Sequence, residues 1–254
     1  MWLYSRFKNM ARKPIGFLGK IMVRKLNGER HAVLADWGFS HLKVPENADC
    51  LDCGCGGGAN IRRLLGMTKG RVFGADFSKV AVAETKKFNK SDVKSGRCQV
   101  FLADVKKLPF EDDSLDVVTA FETIYYWENL TECFKEILRV LKNCGVFMIT
   151  NEAAGRIPEN FEWEKQIPGL KIHTGVEIRA ALESAGFSEI AIEQKAFGLS
   201  HTFIEILYFR DKNPVKKVFL EEPVWQRFHQ ISGCTIPDKF ICDISEYRDA
   251  DSDN

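Results

Sequence analysis

Apolar residues recur along this chain in two alternating rhythms. Short runs are apolar on both faces: ADCLDC (48–53), RVFGAD (71–76), CQVFLAD (98–104), LDVVTAFE (115–122) and VFMITNE (146–152). Each reads as a strand covered on two sides, as parallel strands are. Between them the apolar spacing lengthens to three and four. NLTECFKEILRVLK (129–142) places Leu130, Phe134, Ile137, Leu138 and Leu141 on one helical face, and Gly145 follows its end. Thr174 and Glu177 have capping-box spacing ahead of VEIRAALESA, which stops at Gly186. Two more β-like runs follow, SEIAIEQKAF (188–197) and HTFIEILYF (201–209). Strands alternating with helices predict an α/β fold with a mostly parallel sheet.

Two segments fall outside this pattern. The first, MWLYSRFKNMARKPIGFLGKIMVRKL, has seven Lys/Arg before Leu26 and no acid. Its charges interrupt every apolar segment, and Pro14 and Gly16 break any long amphipathic helix, so a folded arm is expected rather than a transit peptide. The second is the tail after Phe209, which contains Trp225, Phe228 and His229 and ends in EYRDADSDN; its end is expected to fray. The expected organisation is an arm over 1–43, a domain over 44–210 and an extension over 211–254.

Length and composition change this picture little. At 254 residues the chain can bury one substantial core, and a net charge near +1 gives no general reason to expect nucleic acid or a membrane as partner. No apolar run reaches the roughly 18 residues of a membrane span. The eight cysteines lack the spacing of a secreted scaffold, so free thiols in a reducing cytoplasm are expected.

Candidate chemistry starts at LDCGCGGGAN (51–60). Cys50, Cys53 and Cys55 are spaced C-x2-C-x-C, but a strand points Cys50 and Cys53 to opposite faces and no second ligand cluster exists, so no metal is expected. A Walker loop is excluded because no Gly-Lys-Ser/Thr follows. Gly54-x-Gly56-x-x-Ala59 fits the looser dinucleotide fingerprint, with Asp76 about 20 residues on. Asp52 opposes that reading, since a carboxylate beside the first turn repels a pyrophosphate. The five central runs all end in an acid, Asp52, Asp76, Asp104, Glu122 and Glu152. Ligands of open α/β sheets bind at these strand ends, so a cationic ligand is favoured.

These residues resemble the class I S-adenosylmethionine-dependent methyltransferases. LDCGCGGGAN is similar to their D-x-G-x-G motif, and FGADFS (73–78) to their second. ADVKKLPFEDDSLDVV (103–118) resembles the D-x-x-x-LPF segment, AFETIYYW (120–127) sits at the fourth motif, and ILRVLKNCGVFMI (137–149) resembles the R-V-L-K-P-G-G helix and fifth strand. The nearest flavour is the small-molecule branch of ubiquinone and menaquinone methyltransferases. Asn143-Cys144 replaces the usual Pro-Gly, which alters a turn.

The resemblance implies a doubly wound, mostly parallel seven-stranded sheet with an N-terminal helical lid. It implies in-line methyl transfer from S-adenosylmethionine to a small molecule. Gly54, Gly56 and Gly58 would admit the methionine part, with Asp52 near its ammonium. Asp76 would hold the ribose diol, with Phe77 and Ser78 beside it. Asp104 and the Val105 amide would meet the adenine, and Phe121 would lie along the cofactor. Trp37, after Asn27 and His31 in the arm, would pack near the ligand.

Glu122, Tyr125 and Tyr126 are the leading general-base candidates, ahead of His31, His173 and His201. ETIYYW lacks the Asn/Asp-Pro-Pro-aromatic stretch of amino-methylating enzymes, and the chain has no Pro-Cys dipeptide. A small, planar or apolar acceptor follows. Two alternatives stay open: an NAD(P)-dependent oxidoreductase, and a non-catalytic S-adenosylmethionine-binding module whose basic arm meets an anionic partner.

Overall fold

The computed structural model describes residues 12–26, 29–153, 158–196 and 202–209. The side chains of Leu26, Glu29, Arg30 and His31, of residues 158–161 and of everything from 194 onward lie outside that description, as do Asn27, His201 and the tail.

The five predicted central runs form β1 (Cys50–Cys53), β2 (Val72–Asp76), β3 (Cys98–Leu102), β4 (Leu115–Phe121) and β5 (Leu141–Asn151). They lie side by side in the order β3-β2-β1-β4-β5, each pair parallel. β6 (Glu189–Ala196) and β7 (Thr202–Phe209) continue the sheet, β7 antiparallel to both β5 and β6. Chain order reverses between β1 and β4. Connections leave in opposite directions there, so a crevice opens at the carboxyl ends of those two strands.

The two faces of the sheet can be read from residue parity. Leu51, Cys53, Phe73, Ala75, Val118, Ala120, Phe147 and Ile149 belong to one buried cluster. It is completed by α6 (Leu130–Val140) and α8 (Gly175–Ala185), through Phe134, Ile137, Ile178 and Leu182. The rings of Phe134 and Phe147 meet edge to face with centroids 5.7 Å apart. Each such fully buried ring is worth about 1.5–3 kcal/mol. Thr174 and Glu177 close the expected capping box, and Asn129 caps α6 by accepting from the Glu132 amide.

Alternate residues face the other layer. There α3 (Ala59–Met67) packs so closely that a Cβ on Gly74 would lie 2.5 Å from Ile61 Cδ1. α4 (Lys79–Phe88) and the short α5 (Lys90–Ser95) follow β2. α2 (Glu29–His41) crosses the ends of β4 and β5, and Gly38 allows it: a Cβ there would meet Thr150 Oγ1 at 2.7 Å. α1 (Gly16–Leu26) begins just after Pro14, packs on α4 and is tied to it by the Arg24–Glu84 pair at 2.7 Å. A short α7 (Pro158–Gln166) precedes α8.

One boundary differs from expectation. The loop predicted after the fourth helix is absent, because α6 stops at Val140 and β5 begins at Leu141. Leu141 pairs with Leu115, the register then shifts, and Cys144 adopts φ 61° to carry the extra residues within the strand. Among the described residues Cys50, Cys53, Cys55, Cys98 and Cys133 are free thiols.

Candidate active site

The glycine turn after β1 is built by backbone constraint. Gly54, Gly56 and Gly58 all have positive φ, between 51° and 83°, a region closed to most side chains. The amides of Gly54 and Cys55 donate to Ala75 O at 2.8 and 3.1 Å, folding the turn against the end of β2. A Cβ at Gly54 would sit 2.2 Å from Thr123 Oγ1, whereas one at Gly56 would meet almost nothing. The first position is tight against the β4 end, and the second faces open space.

That space is a cavity of about 150 Å³ at the switch point between β1 and β4. The turn and the first residues of α3 form its floor, and the positive end of the helix dipole faces it. Asp76 and Phe77 line it from β2, and Phe121, Glu122, Thr123 and Tyr126 from β4. A larger depression of about 540 Å³ lies beyond the opposite ends of the strands, between Glu46, Thr68, Lys69 and Arg97. It brings together no nucleophile, glycine turn or convergent acids.

Asp76 is 9% exposed. Its carboxylate accepts from the Gly56 amide at 3.0 Å and the Ser78 amide at 2.8 Å. Burial raises its pKa, and the two amide bonds offset part of the rise. Asp52 is 2% exposed and does not line the cavity. It accepts from Thr119 Oγ1 at 2.8 Å, and burial, reinforced by the Asp76 charge, lifts its pKa to about 7.

Glu122 follows β4 with φ 55°, a strained conformation for a residue with a side chain. Its carboxylate accepts from Tyr125 Oη at 3.0 Å and from the Glu152 amide, while Tyr125 Oη accepts from the Ala153 amide at 2.8 Å. Tyr125 is buried behind the cavity, where desolvation and the Glu122 charge push its phenol far up. Tyr126 does line the cavity, and burial lifts its phenol to about 12. Both phenols therefore stay protonated at neutral pH. Tyr125, Ala153 and Ile172, with Tyr126, Trp163 and Leu170, form an aromatic and aliphatic cluster behind it. His173 is buried, desolvation lowers the pKa of its imidazole, and it is away from the cavity lining.

Other expected positions fall elsewhere. Ser78 caps α4, and its hydroxyl donates to Pro14 O at 2.9 Å, so it holds the arm. Gly58 is the N-cap of α3, packed under Asn89 and Thr85. Asp104 is exposed one strand further out, its carboxylate accepting from the Lys106 amide at 2.9 Å, and neither it nor Val105 lines the cavity. Trp37 packs with Leu34 and edge-on against His41 at 5.4 Å. The arm residues at the wall are Arg12, Pro14, Val23, Ala32, Leu34 and Ala35. Sequence reasoning missed these, along with Thr123 and Arg63. The break at Pro14-Ile-Gly16 was the one local signal that the chain turns back there. Among the described residues no group of three or more His, Cys, Asp or Glu has metal-holding geometry.

The parallel sheet, the glycine turn and the acid closing β2 resemble those of S-adenosylmethionine-dependent methyltransferase domains. Residues 51–149 match the family model described as a methyltransferase domain. A sterol 4-C-methyltransferase of Caenorhabditis elegans is 34% identical over 159 residues, 56% of this chain and 45% of that protein. Cycloartenol-C-24-methyltransferase 1 of Oryza sativa is 28% identical over 160 residues, 59% of this chain and 46% of that protein. The chain thus spans about half the length of these relatives.

Solved structures agree on the fold. A methyltransferase from Aquifex aeolicus superposes with TM-score 0.60 at 18% identity, covering 75% of this chain and 97% of that one. Geranyl diphosphate C-methyltransferase from Streptomyces coelicolor, solved with S-adenosyl-L-homocysteine, superposes with TM-score 0.59 at 15% identity, covering 70% and 78%.

Proposed function

We propose that this chain transfers a methyl group from S-adenosylmethionine to a small apolar acceptor. The observation that carries the reading is one cavity walled by the glycine turn, Asp76, Phe77 and Glu122. These residues suit the cofactor. Asp76 offers oxygen lone pairs beyond those taken by two amides, which matches a ribose diol, and Phe77 is partly exposed beside it. The α3 N-terminus favours a carboxylate, and the buried Asp52 charge favours the cationic end. Asp104 and Val105 mark where an adenine edge would reach β3. When bound, the cofactor supplies a sulfonium-activated methyl carbon open to in-line attack by the acceptor.

The chain's own residues then orient, shield and deprotonate. Tyr125 and the Glu152 amide hold Glu122 in place, so that it can take a proton from the acceptor. Phe121, Tyr126 and the cluster behind them exclude water. Such positioning supplies on the order of 7–11 kcal/mol at best, and general base catalysis about 10²–10⁴-fold.

We read the sheet as the full seven-stranded form of the fold, over 44–210, with the arm over 1–43 as its lid. The cavity, at about 150 Å³, is well below the roughly 300–1,000 Å³ of ligand clefts. Arg12, Pro14 and Leu34 therefore have to move outward for a cofactor to enter.

The acceptor class rests on chemistry. The quinone-like branch suggested by the motifs and the sterol and geranyl diphosphate acceptors named for relatives share an apolar carbon skeleton, which suits the aromatic cluster beside Glu122. The test is transfer of isotopically labelled methyl to a panel of sterol, prenyl and quinone precursors. Label in one such acceptor, lost in Glu122→Gln, supports the reading. Label appearing only in protein or nucleic acid refutes it.

A further inference from the structure

We propose that the outer face of α1 docks this protein onto an anionic lipid surface. The helix buries one side normally: Gly19 and Val23 face the body, and a Cβ on Gly19 would meet Pro14 C at 2.8 Å. The opposite side should then be polar. Instead Phe17, Leu18 and Ile21 lie there, 77%, 48% and 36% exposed, and Ile15 just before the helix is 58% exposed. At 3.6 residues per turn the three helical residues share an arc of roughly 100°. A helix apolar on two opposite sides has two partners, and the body is only one of them.

Charge identifies the second. Lys20, Arg24 and Lys25 are exposed around this stripe, Lys13 precedes it, and the chain before Leu26 holds seven Lys/Arg and no acid. Glu84, the acid facing α1 from α4, is already bound by Arg24 at 2.7 and 3.3 Å. Large apolar side chains set among lysines match an anionic bilayer, where rings and aliphatic chains enter the interface and amines meet phosphates. A nucleic-acid backbone would be met by the cations alone and gives no account of Phe17. None of the described helices is long and apolar enough to span a membrane, so the contact is with the surface. Pro14 and Val23, on the body side of this segment, line the cavity. The inference stands on the exposed stripe and does not require any particular acceptor.

The test is sedimentation of the full chain with phosphatidylcholine vesicles, with and without about 30 mol% phosphatidylglycerol, in rising salt. Two variants are compared, Phe17→Ser/Leu18→Ser/Ile21→Ser and Lys20→Glu/Lys25→Glu; these side chains are exposed, so both should fold. Binding to the anionic vesicles that weakens with salt, and falls about tenfold or more in each variant, is expected. Equal binding by wild type and variants, or none, overturns the proposal. So does a wild-type dimer that the first variant dissolves, or binding of polyuridylate RNA in place of vesicles.

Discussion

The two halves of the cavity are made differently. On the β1–β2 side the wall is backbone: three left-handed glycines, two amides bonded to one carbonyl and two more to one carboxylate, all between Leu51 and Ser78. On the β4–β5 side it is side chain: Glu122 is held by Tyr125 and by the Glu152 amide, and Tyr125 by Ala153, with arm residues also lining the cavity. On the function proposed above, the first half would hold the cofactor. The second would select what is methylated and take its proton. Substitutions in the first should therefore change binding and stability, and those in the second turnover.

The sharpest break is Glu122→Gln. It keeps the shape and an oxygen for Tyr125 and Glu152, so turnover should fall about 10²–10⁴-fold while cofactor affinity stays nearly constant. A parallel loss of affinity would erase the distinction between the halves. Gly54→Ala comes next. The left-handed conformation costs about 1–2 kcal/mol and the contact with Thr123 a similar amount, so denaturant unfolding should show a loss of roughly 2–4 kcal/mol. Because Thr123 lines the cavity, this substitution also reaches across to the other half.

Asp52→Asn should work in the opposite direction. The folded-state pKa of Asp52, about 7, lies above the ordinary aspartate value. The ionised carboxylate is therefore a burden on the folded chain that is complete above pH 7 and disappears on protonation as pH falls. Asparagine keeps an acceptor for Thr119 without the charge. The ligand-free variant should be more stable than wild type by roughly 2–4 kcal/mol at pH 8 and indistinguishable below about pH 4. On the proposed function its cofactor affinity should nonetheless be weaker, because a buried negative charge behind the glycine turn would favour the cofactor's cationic end. The smallest change is Ser78→Ala, which removes the bond to Pro14 O and a weak cap; a loss of about 1 kcal/mol is expected, with cofactor affinity down a few-fold as the arm loosens.

The same division explains what was legible in the sequence. Gly54, Gly56 and Asp76 could be found because a strand, a left-handed turn and a second strand are neighbours in sequence, and each restricts residue type locally. Phe121 and Glu122 followed from the strand ending there. Arg12, Pro14, Leu34 and Thr123 could not, because their place depends on contacts between distant elements, and a proline or leucine carries no mark of what it will touch. Asp104 followed from the rule of an acid at a strand end, but its bond to the Lys106 amide of its own loop did not. The strand that follows α6 without a break was equally illegible, since the bulge at Cys144 is set by pairing with β4 and not by local turn residues.

The most direct test of the account is calorimetric titration of wild type and Asp76→Ala with S-adenosylmethionine, S-adenosylhomocysteine and NADH. The account predicts micromolar binding of both adenosyl ligands, lost in the variant, and no heat with NADH. Binding of NADH alone, or adenosyl binding indifferent to Asp76, would contradict it.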